Sequence, residues 1–301
     1  MLKTFERSHL AAFSEHDKQG ATLALESGKV LYLPGHVCSL SSDDQDALWS
    51  PKLLDGKHKN VSFSYETKRL GGISKELSHP LTAQLQIIME HFANFAKQSV
   101  VEILPWYETA LQWGRTSYRP AEIEGRVYSK RKDDTRLHVD SFPATPVHGR
   151  RILRVFCNIN PQGAPRVWRL GEPFPKVLDR FANRIPVYNP LKAKLLYLLH
   201  VTKTQRSAYD HYQLNLHDAM KLDDDYQVEV RRQQIDFAAQ STWVVFTDQV
   251  SHAALKGQFL LEQTFYLPVE AMLDQQLSPL KHWEKMRPNC FRKNLSEVSL
   301  V

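Results

Sequence analysis

The sequence predicts one α+β domain, with a sheet-based core, an N-terminal helical layer and a helical insert. Two groups of short runs rich in β-branched and aromatic residues flank a stretch of helical pattern. No Pro- or Gly-rich linker divides the chain cleanly, and no repeat or low-complexity tract occurs. The 301 residues are 42% hydrophobic and include 14 Phe, 11 Tyr and 6 Trp, which is typical of a folded chain with a large core.

The N-terminal layer, residues 1–113, is predicted to mix strands and helices. A short strand is expected over Lys29–Leu33, and a helix begins near Ser41–Asp44, where Ser and Asp suit an N-cap. A long amphipathic helix is expected from Leu81 to about Lys97, because apolar residues recur there at near-helical spacing. We interpret the apolar face of this helix as core packing.

Residues 114–301 are predicted to form the sheet core. The expected strands are Arg126–Lys130, Arg136–Phe142, Ile152–Ile159, Thr242–Thr247 and Gln258–Leu267. The expected helices, Pro175–Asn183, Leu191–Leu199 and Tyr209–Lys221, form an insert at about 172–222.

Cysteine usage and hydropathy favour a cytoplasmic protein. Cys38, Cys157 and Cys290 are far apart and odd in number, which argues against a disulfide framework. The N-terminal residues contain no apolar run of signal-peptide length, and nothing approaches the roughly 18 apolar residues of a membrane span. Peripheral contact with a membrane is left open.

A His-X-Asp pair, His138 and Asp140, is the most informative local motif. In a strand, residues i and i+2 point to the same face, so the imidazole and the carboxylate can bind one ion. With a third ligand they would form the facial triad of non-haem Fe(II) oxygenases. His252, between two predicted strands, is the first candidate for that ligand. The alternatives are a surface histidine beside a solvated aspartate, or a third ligand from His148, His211 or His217.

Two polar residues lie in otherwise apolar strands. Arg154 shares a strand face with Phe156, Asn158 and Asn160, and a buried guanidinium needs an anionic partner. Its planar fork matches a carboxylate, so either a co-substrate or a buried acid of the protein is expected beside it. Gln263 lies in the apolar row of the final strand, either as a ligand contact or as a hydrogen-bonded core glutamine.

Three segments carry a family resemblance: RLHVDSFPATPVHGRRILRVFCNINP, GAPRVWRLGEPF and STWVVFTDQVSHAALKGQFLLEQTFYLP. Together they resemble the Kdo hydroxylase (Kdo dioxygenase) family, from about Ser117 to the C-terminus. The resemblance implies a double-stranded β-helix, or jelly roll, with Fe(II) bound by His138, Asp140 and His252. It also implies 2-oxoglutarate and O2 as co-substrates.

The chain departs from the wider oxygenase superfamily at one position. Many members carry an Arg or Lys on the last core strand to bind the far carboxylate of 2-oxoglutarate, whereas this chain has Glu262 and Gln263 there. Arg154 is therefore the expected substitute, with Arg119 in reserve. Asn158 and Gln263 are the further expected co-substrate contacts.

The activity implied by the resemblance is hydroxylation of 3-deoxy-D-manno-oct-2-ulosonic acid (Kdo) at its deoxy carbon, C3. The substrate would be Kdo-lipid A of the lipopolysaccharide inner core, and the products the 3-hydroxylated sugar (Ko), succinate and CO2. The expected substrate contacts are Arg166 and, in the insert, Arg206, Tyr209 and His211. The alternative interpretation of the insert residues is that they form the solvated face of a charged amphipathic helix.

The positive charge is unevenly distributed. The formal net charge is +6, and Gly114–Arg154 contains ten basic and five acidic residues, a surplus of five around the His-X-Asp motif. This favours an anionic glycolipid over nucleic acid as the partner, with peripheral contact at the inner membrane, while a solvated face that aids solubility also explains many of these residues. No recognition motif supports a nucleic-acid partner. A 2-oxoglutarate oxygenase of peptides or small molecules, and a non-catalytic jelly roll that binds glycolipid, are the alternative functions.

Overall fold

The computed structural model describes residues 1–5, 13–50, 53–125 and 128–291. Its strands are β1 (Leu2–Thr4), β2 (Val30–Pro34), β3 (Val61–Ser64), β4 (Arg69–Gly71), β5 (Gln112–Arg119), β6 (Arg151–Asn158), β7 (Arg166–Leu170), β8 (Gln233–Phe237), β9 (Ser241–Phe246), β10 (His252–Lys256) and β11 (Leu260–Leu267). Its helices are α1 (Glu15–Glu26), α2 (Ser42–Trp49), α3 (His79–Ile103), α4 (Phe174–Phe181), α5 (Pro190–Leu198), α6 (Ala208–Leu222), α7 (Asp224–Glu229), α8 (Pro279–Met286) and α9 (Pro288–Phe291). Among these helices, none is both long and apolar enough to pass through a bilayer.

Two sheets enclose the central core. The larger has the order β1-β2-β9-β6-β11-β5-β3-β4, and the smaller has the order β10-β7-β8. Aromatic residues of both sheets meet between them, including Phe156 and Trp243 from the larger sheet and Trp168 and Phe237 from the smaller. This confirms the α+β jelly roll with a helical insert.

Strand β11 shows how the larger sheet separates two environments. Leu261 and Phe265 pack into the core shared with α3, on the outer face of the sheet. Glu262 and Thr264, which lie between Leu261 and Phe265 in the strand, line a cavity on the inner face. Because side chains alternate along a strand, this register decides which polar residues reach the interior of the jelly roll.

The N-terminal residues supply both a helical layer and sheet edges. Helix α3 begins after the N-cap Ser78 and buries Ile88, Phe92 and Val100 against the outer face of the larger sheet. It is longer at both ends than the predicted helix. Strand β2 pairs with β9 and β3 pairs with β5, so this part of the chain extends the jelly-roll sheet on both sides.

The insert covers the jelly roll close to the His-X-Asp motif. Its helices run from Phe174 to Glu229, beyond the predicted limit of 222, because Asp223 caps a further short helix. Phe181 and Tyr212 of the insert share a core with Val139, the residue between the two motif side chains. The insert therefore buttresses the backbone of the motif.

Two segments of residues 114–301 that were predicted to be strands do not form regular strands in the described part of the chain. The segment Arg136–Phe142 is not a regular strand: it meets β10 through a single bridge, between His138 and His252. In Arg126–Lys130, Arg126 and Val127 lie outside the described residues, and Lys130 begins a 3-10 turn instead. Strands β5, β7, β8 and β10 were missed, because charged, amide or imidazole side chains interrupt their apolar pattern.

Candidate active site

His138, Asp140 and His252 come together on the smaller-sheet side of the jelly roll. One ligand atom from each of the three lies within 4.8 Å of the others, and all three residues are buried. The backbone holds this arrangement: His138 N donates to His252 O at 3.0 Å, and His252 N donates to His138 O at 2.8 Å. Asp140 N donates to Thr247 O at 2.7 Å, which ties the motif to the loop after β9.

Backbone carbonyls set the tautomer of both histidines. His138 Nδ1 lies 2.8 Å from Arg136 O, and His252 Nδ1 lies 2.8 Å from Val250 O. Because a carbonyl oxygen only accepts, each Nδ1 carries the proton and each Nε2 keeps a free lone pair. This is the outer-shell arrangement that orients metal-binding imidazoles.

The protonation states also suit a metal ion. Burial lowers the pKa of His138 to about 4 and lowers that of His252, so both imidazoles are neutral at neutral pH. Burial opposes ionisation of Asp140, but the Arg154 guanidinium and the two histidines outweigh it and hold the carboxyl pKa well below its ordinary value. Two neutral imidazoles and a carboxylate are the forms that bind a cation.

One buried oxygen shows that the site fits a cation. Asp140 Oδ2 has no hydrogen-bond partner in the described part of the chain. Arg154 Nε lies 3.2 Å away, but the two groups are too poorly aligned to form a hydrogen bond. A buried carboxylate oxygen without a donor is unfavourable, and a cation bound by the three side chains would satisfy it. Two nitrogens and one oxygen suit Fe(II) and leave coordination positions for other ligands.

The three side chains line one end of a cavity of about 370 Å³. Basic residues outnumber acidic ones in its wall, so the cavity favours anionic ligands. The basic residues are Lys59, Arg119, Arg131, Lys132, Arg154, Arg166 and Lys221, and the acidic residues are Asp134, Asp140 and Glu262.

Glu262 forms ion pairs with two of the arginines in this wall. Its Oε1 lies 2.9 Å from Arg154 Nη1, and its Oε2 lies 3.0 Å from Arg119 Nη2. Arg154 also lies beside Asp140, and Arg119 lies 3.8 Å from Asp134. Glu262 lies on the last core strand, where many members of the superfamily carry the basic residue that binds 2-oxoglutarate. It pairs with Arg154 and Arg119, the two arginines that were expected to take over this role.

Arg166, at the start of β7, has no comparable partner. It is 3% exposed, and no carboxylate of the described residues forms an ion pair with it. Nη1 donates to Gly257 O at 2.6 Å, whereas Nε has no hydrogen-bond partner there. Burial and the neighbouring Arg119 charge lower the pKa of Arg166 to about 9, which marks a positive charge in need of an anion.

The same face of β7 connects Arg166 to the three-residue cluster. Trp168, two residues along the strand, stacks on the His252 ring with centroids 5.0 Å apart and planes at 21°. Both Trp168 and Arg166 line the cavity. A dicarboxylate with one end at the cluster therefore finds an arginine further along the same wall.

Two expected co-substrate contacts lie outside the cavity wall. Gln263 faces the outer core, where it accepts from Thr116 Oγ1 at 2.6 Å and donates to Thr264 O at 2.6 Å. Asn158 uses its amide to bridge Ala164 O and Phe237 O, at the far end of β6. Strand alternation explains the first case, and a loop that needs hydrogen bonds explains the second.

The expected substrate contacts in the insert also lie outside the cavity wall. Tyr209 is 2% exposed within an apolar core, His211 Nε2 contacts Pro186 O, and Arg206 donates to Pro143 O. The insert instead contributes His217 and Lys221 from α6. Their i, i+4 spacing places both side chains on one helix face, and it is the feature of the sequence from which their proximity could have been predicted.

Of the rival histidines, only His217 approaches the cluster. Its ring meets that of His138 edge-on, with centroids 5.3 Å apart, but it is not one of the three clustered ligands. His148 hydrogen-bonds Thr204 and His211 lies against Pro186. A jelly roll with two histidines and one aspartate at this place defines the class of non-haem Fe(II) and 2-oxoglutarate-dependent dioxygenases.

Comparison with known proteins narrows this class to a family. The family model described as 3-deoxy-D-manno-oct-2-ulosonic acid (Kdo) hydroxylase matches residues 9–289, and the chain belongs to this family. A crystal structure of the Kdo hydroxylase KdoO with α-ketoglutarate and Fe(III) is 43% identical, covers 95% of each chain and has a TM-score of 0.89. KdoO with cobalt(II) is 44% identical, again with 95% of each chain covered, at a TM-score of 0.90. No curated protein sequence matches the chain.

Proposed function

We propose that this protein hydroxylates C3, the deoxy carbon, of Kdo in Kdo-lipid A, the inner-core region of lipopolysaccharide of a Gram-negative bacterium. The products are the 3-hydroxylated sugar Ko, succinate and CO2, and the co-substrates are 2-oxoglutarate and O2. The observation that carries the proposal is the net-positive cavity that ends at His138, Asp140 and His252. Membership of the Kdo hydroxylase family supports the sugar.

The proposed metal ligands are His138, Asp140 and His252. When Fe(II) is bound there, it supplies the activation of O2 that is coupled to oxidative decarboxylation of 2-oxoglutarate. The protein holds both imidazoles with Nε2 free and keeps Asp140 ionised through Arg154.

Arg166 is the proposed anchor for the far carboxylate of 2-oxoglutarate, in place of Arg154. Its guanidinium is buried, unpaired with any described carboxylate and on the wall that includes Trp168. Arg154 and Arg119 already form ion pairs with acidic residues of the protein, namely Glu262, Asp140 and Asp134. A bidentate carboxylate at Arg166 would satisfy its Nε and remove an uncompensated buried charge.

The sugar acid is proposed to bind at the basic part of the wall formed by Lys59, Arg131, Lys132, His217 and Lys221. Lys221 is 2% exposed and its Nζ lies 3.7 Å from Asp134, so its charge is held in place. Burial lowers the pKa of Lys221, and an anionic ligand would favour its charged form. Contacts to the carboxylate would fix which carbon faces the metal.

The proposed location is the cytoplasm, with peripheral contact at the cytoplasmic face of the inner membrane. The net-positive cavity wall and the lipid-linked substrate support this location.

The direct test is hydroxylation of purified Kdo-lipid A by the protein with Fe(II), ascorbate and 2-oxoglutarate. We expect mass spectrometry to show the gain of one oxygen atom, with succinate formed in equal amount. The matched controls omit 2-oxoglutarate or use Asp140→Ala. No mass gain with fully metallated protein would refute the substrate, whereas succinate formation with a peptide or another small molecule would retain only the reaction class.

A further inference from the structure

Helix α5 of the insert exposes an apolar face. Leu191, Leu195 and Leu198 are 77%, 55% and 60% exposed, at i, i+4 and i+7 spacing along one side of the helix. Leu199 and Val201 continue the apolar surface beyond the helix, at 62% and 51% exposed. Ala193, on the opposite side, is the buried residue of the helix. Unlike a typical surface helix, α5 therefore presents a row of leucines to solvent in addition to its buried apolar side.

The charges around this face are of one sign. Val187–Tyr209 contains Lys192, Lys194, Lys203 and Arg206 and no acidic residue. Lys192, Lys194 and Lys203 are exposed and form no ion pair with the described residues. Lysines beside exposed leucines are typical of helices that lie in the interface of an anionic membrane.

The residues that follow the helix are hydrogen-bonded to a segment that lines the cavity. Directly after it, Lys203 N donates to Ala144 O at 2.9 Å, and Arg206 Nη2 donates to Pro143 O at 2.6 Å. Pro143 lines the cavity that ends at His138, Asp140 and His252. A partner surface in contact with α5 would therefore lie close to the cavity wall at Pro143.

We propose that α5 and the residues that follow it, 190–203, form the membrane-docking surface of the enzyme, with anionic phospholipid as the partner. The leucines enter the headgroup region, and the three lysines contact lipid phosphates. At nine residues α5 is far too short to cross a bilayer, so it lies along the interface. This inference rests on the proposed function in one respect, since a lipid-linked sugar would be presented at the same surface.

Vesicle co-sedimentation without iron, co-substrate or Kdo tests the docking surface alone. We expect the wild-type protein to bind vesicles of phosphatidylethanolamine and phosphatidylglycerol, and to bind phosphatidylcholine vesicles less. The double variant Leu195→Glu/Leu198→Glu should lose about tenfold or more in vesicle partitioning, because two leucines no longer enter the interface. Lys192→Glu/Lys194→Glu should weaken binding to the anionic vesicles only.

The matched control introduces the same two charges at exposed apolar positions elsewhere. Ile87 on α3 and Val228 on α7 are 66% and 73% exposed, and Ile87→Glu/Val228→Glu should bind vesicles like the wild type. Circular dichroism checks that both double variants are folded. Absence of wild-type binding, or equal loss in the control variant, would overturn the proposal.

Two further measurements separate this proposal from its rivals. If light scattering shows a dimer that Leu195→Glu/Leu198→Glu converts to monomer, while vesicle binding is unchanged, a second copy covers the face and the proposal fails. Turnover of a deacylated, water-soluble Kdo glycoside should be the same in this variant and the wild type. Hydroxylation of Kdo-lipid A by a wild-type protein that does not bind vesicles would refute the docking surface and leave the proposed function intact. Vesicle binding without hydroxylation would refute the proposed function alone.

Discussion

Arg154 and Arg166 both line the cavity, but they have different electrostatic surroundings. Arg154 lies between Asp140 and Glu262, so its charge is used within the protein. Arg166 donates to the Gly257 carbonyl and forms no ion pair with a described carboxylate, although Glu262, Asp134 and Glu122 act on its charge from beyond ion-pair distance. A buried cation is stabilised by whichever anion is nearest, so these neighbours decide which arginine is available to a ligand.

For Arg166, substitution by alanine should weaken 2-oxoglutarate binding about 30-fold or more, the effect of removing one partner of a buried charge pair. The measurement is the KM for 2-oxoglutarate together with its binding to Co(II)-loaded protein. Arg169→Ala is the matched control, because Arg169 lies on β7 with its side chain on the other face. Near-normal affinity in Arg166→Ala, with a large loss in Arg154→Lys, would return the anchor role to Arg154.

At the metal site, His138→Ala and Asp140→Ala should each abolish Co(II) binding and turnover, because each removes one of three clustered ligand atoms. Visible absorption of Co(II) reports the loss independently of activity. His91→Ala, which removes an exposed ring against Ser39 O, should bind Co(II) normally. Normal Co(II) spectra in either site variant would contradict the proposed ligand set.

At the scale of elements, the site depends on the junction between β6, β9 and β10. Arg151, the first residue of β6, donates to Asp248 Oδ2 at 2.8 Å, and both side chains are fully buried. The guanidinium also stacks on Phe246 at the end of β9, 3.8 Å from the ring centroid. Asp248 belongs to the loop that binds Asp140 N through Thr247 O and leads into His252. This ion pair therefore holds the loop that brings the ligands together.

Arg151→Ala should lower the free energy of unfolding by about 3–5 kcal/mol, since Asp248 would keep a buried charge without its partner. Urea unfolding of the metal-free protein measures the change. Replacing both residues, as Arg151→Met/Asp248→Leu, should cost less than the single substitution. Lys18→Ala, which removes the exposed pair with Glu15, should cost only about 0–1 kcal/mol. A loss below about 1 kcal/mol in Arg151→Ala would contradict this account.

Across the whole molecule, one strand joins three apolar cores. Strand β6 places Val155 against the N-terminal helices, Ile152 against the insert and Phe156 between the two sheets. The N-terminal residues also cover both long edges of the jelly-roll sheet, through β2 and β3. These connections couple the parts of the described chain energetically.

We therefore predict that the protein unfolds as one domain, in a single transition whose calorimetric and van't Hoff enthalpies agree. A chain that lacks residues 1–113 should aggregate, because it exposes the edges of β5 and β9 together with the outer core. Two separate transitions, or a soluble and folded 114–301 fragment, would show that the N-terminal layer is independent.

Local signals in the sequence predicted much of the fold. Ser41 and Asp44 were recognisable as capping residues because a cap is made by residues three apart in the chain. Runs rich in β-branched and aromatic residues located β6, β9 and β11 within a few residues. Strands with charged or amide side chains, such as β8, were missed because their neighbours in the sheet, and not their own pattern, stabilise them.

The sequence by itself determined the His-X-Asp pair and the likeness of the chain to one enzyme family, since both are carried by short contiguous segments. Only the tertiary structure decided that Glu262 faces inward and Gln263 outward, because a shift of one residue in a strand reverses every side chain. It likewise decided that Arg154 is paired and Arg166 is not, and that the leucines of α5 face outward. Charge compensation and exposure depend on neighbours distant in the chain, and folding alone brings those neighbours together.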